Sequence, residues 1–147
     1  MAKVKYEIEG MKELERTIRK LGQLPQKCVT PAARKGATIA LKAAKANAPF
    51  LTGALEEGII LKGEKARKKG KKVYQVTMNP AMNDVFVKTT KDGKRYYYPA
   101  SMEYGFITRD GGYSPGFHYL RDSLVDNKER IEKTVVDVLA KEIDKLR

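Results

Sequence analysis

The order of apolar periodicities along this chain predicts an α+β fold: a mainly antiparallel sheet with helices packed on one face and a long C-terminal amphipathic helix. Three observations carry that expectation. Apolar residues recur at three- and four-residue spacing through much of residues 11–47. A middle stretch breaks into short β-rich runs separated by Gly-containing turns. From Phe117 onward the helical spacing returns and holds to the end.

Each element follows in order. Val4, Tyr6 and Ile8 alternate with charged residues, which reads as a half-exposed strand ended by Gly10. Met11, Leu14, Ile18 and Leu21 form a helical stripe closed by Gly22, and Pro25 opens a short break. Residues 26–47 form a second helix, with Thr30 as N-cap and Pro31 in its first turn. Ala32, Ala33, Gly36, Ala37, Ala40, Ala43, Ala44 and Ala46 leave it small on much of its surface, suited to lying close on a sheet. Pro49 stops that helix, and Gly53 supplies an unusual backbone angle in the following turn. Residues 54–62 read as a strand, 63–72 as a Lys/Arg/Gly loop, and Val73–Met78 as the return strand. Val85-Phe86-Val87 suggests a third strand, Lys91-Asp92-Gly93-Lys94 a tight turn, and Tyr96-Tyr97-Tyr98 another strand or a short helix. The Gly-rich stretch at about 106–116 reads as a flexible loop before the final helix.

The chain of 147 residues suits a single domain spanning 1–147. Hydrophobic residues make up 41%, enough to build a core and to argue against wholesale disorder. No apolar run approaches the length that crosses a bilayer, and the first residues lack the apolar core of a secretory signal, so neither membrane insertion nor export by that route is expected. Cys28 stands alone, which excludes an internal disulfide and a Cys-based zinc site.

Net charge is +12, and its placement matters more than its sum. Residues 1–47 hold eleven Lys/Arg against four Asp/Glu, residues 62–72 hold seven against one, and residues 118–147 hold seven of each. The positive field therefore sits on the first half of the chain and on one short loop, which favours anionic partners. In that loop Lys62, Lys65, Arg67, Lys68, Lys69, Lys71 and Lys72 are able to grip phosphate or an acidic surface; a solvated hairpin tip is the plainer alternative. No aromatic is interleaved there, so base stacking is not indicated.

Catalytic patterns are thin. His118 is the one histidine, and no metal-ligand spacing surrounds it, so a packing or surface role is expected. Glu56 and Glu57, neighbours in a strand, would point to opposite faces, which is poor geometry for an acid/base pair. Glu103 reads as a buried polar anchor or an interface residue. There is no GxSxG, no P-loop and no dinucleotide fingerprint, so no cofactor and no enzymatic activity are expected.

Four landmarks, taken together, carry a resemblance. They are Glu9-Gly10-Met11-Lys12-Glu13-Leu14; the Ala-rich helix end and turn Ala44-Lys45-Ala46-Asn47-Ala48-Pro49-Phe50-Leu51-Thr52-Gly53-Ala54-Leu55; Tyr98-Pro99-Ala100-Ser101-Met102-Glu103-Tyr104-Gly105; and Pro115 to Leu124. In that order and at those spacings the chain resembles a family of siphophage minor tail or neck proteins, the tail-completion and head–tail joining components. The resemblance spans about residues 9–125. Phe106 stands where the family has Thr or Ser.

The resemblance implies a structural, non-enzymatic role in the virion, with assembly in the host cytoplasm. The implied partners are other neck and tail proteins: a connector or stopper, a tail terminator or the tube. It also implies a homo-oligomeric ring, with the free subunit a monomer. Ring closure needs unlike surfaces that meet head to tail. Phe50, Leu51, Thr52 and Gly53, together with Glu103, Tyr104 and Gly105, are the candidate interaction residues, and segments 48–55 and 106–116 are the natural suppliers. The basic loop would then face DNA in the channel or an acidic partner. A basic nucleic-acid-binding module of a mobile element is the alternative reading; a small hydrolase or toxin lacks a nucleophile–base pair.

Overall fold

One helix dominates the architecture. In the computed structural model, which describes residues 11–146 (the side chains of Met11, Leu14, Glu15 and Ile18 excepted), α1 runs unbroken from Met11 to Asn47. The expected break at Gly22–Pro25 does not occur, and Pro25 and Pro31 both lie inside the helix. Each proline removes an internal amide donor, a cost of about 3 kcal/mol in an isolated helix. Tertiary packing along α1 outweighs that local preference, as it does for most protein helices. Thr30 is accordingly not an N-cap; its hydroxyl accepts from Gln26 Nε2 at 2.9 Å. The strand expected before Gly10 lies outside the described residues.

After the turn at 48–53, residues 54–58 form a short helix, α2 (Ala54–Gly58), where a strand was expected. Gly53 sits in the left-handed region at φ 81°, and its carbonyl accepts from Glu57 N at 3.0 Å, which starts the helix. Leu55, Gly58 and Ile59 are buried, a three- and four-residue spacing that a helical turn satisfies. Glu56 and Glu57 are therefore on an exposed helical turn.

The antiparallel pairing is divided among three two-stranded ribbons. The first joins β1 (Ile59–Gly63) to β2 (Tyr74–Met78), with Ile59 opposite Met78 and Gly63 opposite Tyr74. This is the expected hairpin, and the basic segment is its tip. A 3-10 turn at Pro80–Met82, with the Asn79 side chain accepting from Ala81 N, leads into α3 (Asn83–Phe86). The second ribbon pairs β3 (Val87–Thr89) with β4 (Arg95–Tyr97) through the expected tight turn, closed by Thr90 N to Lys94 O at 2.8 Å. The tyrosine run then passes from strand into α4 (Tyr98–Tyr104).

The third ribbon is a correction. Residues 106–116, read as a flexible loop, form a hairpin of β5 (Gly105–Ile107) and β6 (Tyr113–Pro115). Its turn repeats the chemistry of the second ribbon: Thr108 N donates to Gly112 O at 2.7 Å around Asp110-Gly111. The C-terminal helix is also divided, into α5 (Tyr119–Val125) and α6 (Lys128–Asp144). Asn127 breaks the run by donating its side-chain amide to Ser123 O at 3.0 Å, a local bond that competes with helix continuation.

The small face of α1 serves helix packing more than sheet packing. Its most extensive neighbour is α6, followed by the first ribbon and α5. Gly36 is the closest approach: a Cβ there would stand 2.6 Å from Val135 Cγ2 and 3.3 Å from Ile131 Cγ2. The remaining core gathers Ala44, Leu55, Ile59, Met78, Phe86 and Tyr119. Tyr119 is fully buried, and its hydroxyl donates to Pro99 O at 3.0 Å. Burial, and next the nearby Glu103 carboxylate, push the Tyr119 phenol far above the usual tyrosine range.

Candidate assembly interface

Glu103 organises the region that joins two of the sequence landmarks. It lies near the end of α4 and is only 4% exposed. Its carboxylate accepts from Leu120 N at 2.8 Å and from Arg121 N at 3.1 Å, the otherwise unpaired amides at the start of α5. Negative charge at a helix N-terminus is favoured by the helix dipole as well. Main-chain bonds reinforce the link: Phe117 N donates to Met102 O at 2.7 Å, and His118 N to Glu103 O at 3.1 Å. His118 takes a left-handed backbone angle, φ 50°, which turns the chain into α5. Gly105 (φ 88°) and Gly116 leave no room for a Cβ, because the Ser114 and Glu103 carbonyls lie against them. The spacing Tyr98–Gly105 and Pro115–Leu124 thus encodes a buried carboxylate that clamps the third ribbon to α5. Glu103 is a buried polar anchor between α4 and α5.

What this clamp presents to solvent is apolar. Tyr104 is 70% exposed and Ile107 78%, with Phe106, Tyr113 and Phe117 also exposed around the hairpin. Tyr113 Oη donates to Tyr104 O at 2.7 Å, which fixes its ring across the ribbon. A second apolar feature is the 48–53 turn, where Phe50 is 80% exposed and Leu51 76%. Gly53 holds this turn, and Thr52 Oγ1 accepts from Ala54 N at 3.4 Å. Near the clamp, α1, β2 and α5 enclose an open groove of about 640 Å³ with Ala37, Ala40, Val76, Leu120 and Leu124 in its walls.

The basic residues Lys62, Lys65, Arg67, Lys68, Lys69 and Lys71 are exposed on the tip of the first ribbon, and Lys72 is half-buried with its ammonium 5.2 Å from the Tyr74 ring centroid. The tip is folded back toward α1, where Gln26 Nε2 donates to Lys71 O at 3.4 Å. Sequence reasoning singled out Phe50 to Gly53, Glu103 to Gly105 and the basic tip. It missed Ile107, Tyr113 and Phe117 as surface residues, and Lys27 of α1 as a neighbour of the tip. The repeated Thr-x-Asp-Gly at 90–93 and 108–111 was the signal for the second hairpin turn.

The large apolar side chains exposed on the third ribbon and on the 48–53 turn are features of the kind from which contacts with other chains are built. Among the described residues no group of three His, Cys, Asp or Glu is placed to hold a metal, and no described helix is long and apolar enough to cross a membrane. The chain belongs to the bacteriophage HK97-gp10-like family, described as a tail component, whose model it matches over residues 12–118. That span contains the Phe50–Gly53 turn, the basic tip, Glu103 and the whole third ribbon. Family membership makes this a structural tail protein of a phage. No match was found among curated proteins or among solved structures.

Proposed function

We propose that this protein is a structural assembly subunit at the head–tail junction of a long-tailed phage or prophage, acting in tail completion or head–tail joining as one member of a ring. The observation that carries this reading is the pairing of unlike surfaces on one chain. The chain carries an exposed Phe50–Leu51 turn and an exposed aromatic hairpin as well as an open, mostly apolar groove of about 640 Å³. Heterologous contacts that close into a ring require two different complementary surfaces on each subunit. The partners are then further copies of this chain and the adjoining neck proteins: a connector or stopper above, a tail terminator or tube below. The subunit resides in the virion and meets its partners in the host cytoplasm during assembly. Catalysis has no part in this role.

The test is biochemical complementation. Purified protein added to a lysate of phage lacking this gene restores plaque-forming particles if heads and tails accumulate there unjoined. Lysate that stays non-infectious at saturating protein contradicts the reading.

A further inference from the structure

The basic tip is not a free tip. Gly70 packs toward Pro25, with a Cβ there placed 3.5 Å from the proline Cβ, and Lys69 Nζ approaches Gly22. With the Gln26 to Lys71 hydrogen bond, these contacts fold the tip along the first half of α1. Between them lies a cleft of about 690 Å³. The charged side chains in its walls are Lys27 from the helix and Arg67, Lys68 and Lys69 from the tip, accompanied by the neutral Gln23 and Thr30, while the Gln26 amide is engaged with Thr30 Oγ1 and Lys71 O. Every charge in that lining is positive. None of the four cations is in a salt bridge among the described residues. Glu64, the acidic residue of the tip, accepts from the Gln75 side chain.

We infer that this cleft binds the phosphate backbone of double-stranded DNA. Its chemistry separates that occupant from two others. Protein interfaces are depleted of Lys and anchored by apolar or aromatic side chains, whereas this lining is Lys-rich and carries no aromatic residue. Single strands are held by aromatic platforms on which bases stack, and the cleft offers none. Cations with amide and hydroxyl donors are what backbone contacts use, without sequence readout. The inference goes beyond the assembly reading and does not depend on it, because the isolated protein suffices to test it.

The experiment is fluorescence polarisation of the purified full chain with a labelled duplex of mixed sequence, titrated at salt concentrations between about 50 and 200 mM. Affinity is expected to fall linearly on a log–log plot. The triple variant Lys27→Gln, Lys68→Gln, Lys69→Gln is expected to flatten that slope by about 2.7, since each lost phosphate contact removes about 0.9. The equal-charge variant Lys35→Gln, Lys42→Gln, Arg130→Gln, on the α1–α6 surface, is expected to keep the wild-type slope. Matching circular-dichroism melts confirm that both variants fold. The inference is overturned if the duplex does not bind, if both triple variants lose the same slope, or if polyglutamate or single-stranded DNA binds more tightly than the duplex.

Discussion

Replacing Glu103 tests the clamp that holds the aromatic hairpin in place. In Glu103→Ala, Leu120 N and Arg121 N lose their acceptors together, and both bonds are to one buried carboxylate. Hydrogen bonds to charged partners contribute about 1.5–3 kcal/mol each, so the pair amounts to roughly 3–6 kcal/mol, with about 0.3–1 kcal/mol more from the helix-terminal charge. Glu103→Gln keeps one carbonyl oxygen for one amide and loses the charge; about 1.5–2 kcal/mol is expected. Against a typical total of about 5–15 kcal/mol, the alanine variant removes a large share of the stability. At about 2–4 °C per kcal/mol for a chain of this size, its midpoint falls by roughly 10 °C. Urea unfolding followed by circular dichroism measures the change. Amide exchange localises it: Leu120 and Arg121 lose protection, while Phe117 and His118, bonded to main-chain carbonyls, retain more of theirs. An alanine variant within about 0.5 kcal/mol of wild type would refute the clamp, since that is the range of an indifferent surface change.

Three further outcomes are expected. Tyr119 is held neutral by burial, so its folded pKa lies above the unfolded value of about 10; its contribution to stability is complete below that pH and is lost as pH rises beyond it. Tyr119→Phe should give a flatter alkaline limb in a stability–pH profile and cost about 1 kcal/mol at neutral pH through the lost bond to Pro99; a profile parallel to wild type would contradict this. Gly36→Val forces a side chain into Val135 and Ile131 and should destabilise by about 1–3 kcal/mol or more, read from thermal melts; an unchanged melt would mean α1 and α6 do not pack as described. Phe50→Asp with Leu51→Asp should leave the melt within about 0.5 kcal/mol yet abolish complementation; full complementation would remove the turn from the interface.

How much of this was legible beforehand follows from the reach of each interaction. The α+β class, the basic hairpin and the C-terminal amphipathic run rest on local periodicity, and local periodicity survives folding. The break at Gly22–Pro25 did not, because Gly22 and Pro25 were weighed by intrinsic preference while the packing of α1 against α5 and α6 lies about a hundred residues away in sequence; the stop at Pro49 held, with α1 ending at Asn47. Residues 54–58 misled for another reason: Leu55 and Ile59 fit both a strand start and one helical turn, and the left-handed Gly53 decided the matter. The third ribbon was hidden by its glycines, although Asp110-Gly111 carries the same turn chemistry that was recognised at Asp92-Gly93. At the candidate interface, Glu103 was legible as an unusual carboxylate, but the amides it caps are 17 and 18 residues on. Lys27 was invisible as part of a basic cleft because only the folded tip brings it beside Arg67 and Lys68.

Head–tail joining is the role proposed for this tail protein. Electron microscopy of lysates from the parent phage or prophage with the gene deleted tests it most directly. Filled heads accumulating beside separate tails are the expected result. Normal, infectious particles in that lysate would contradict it.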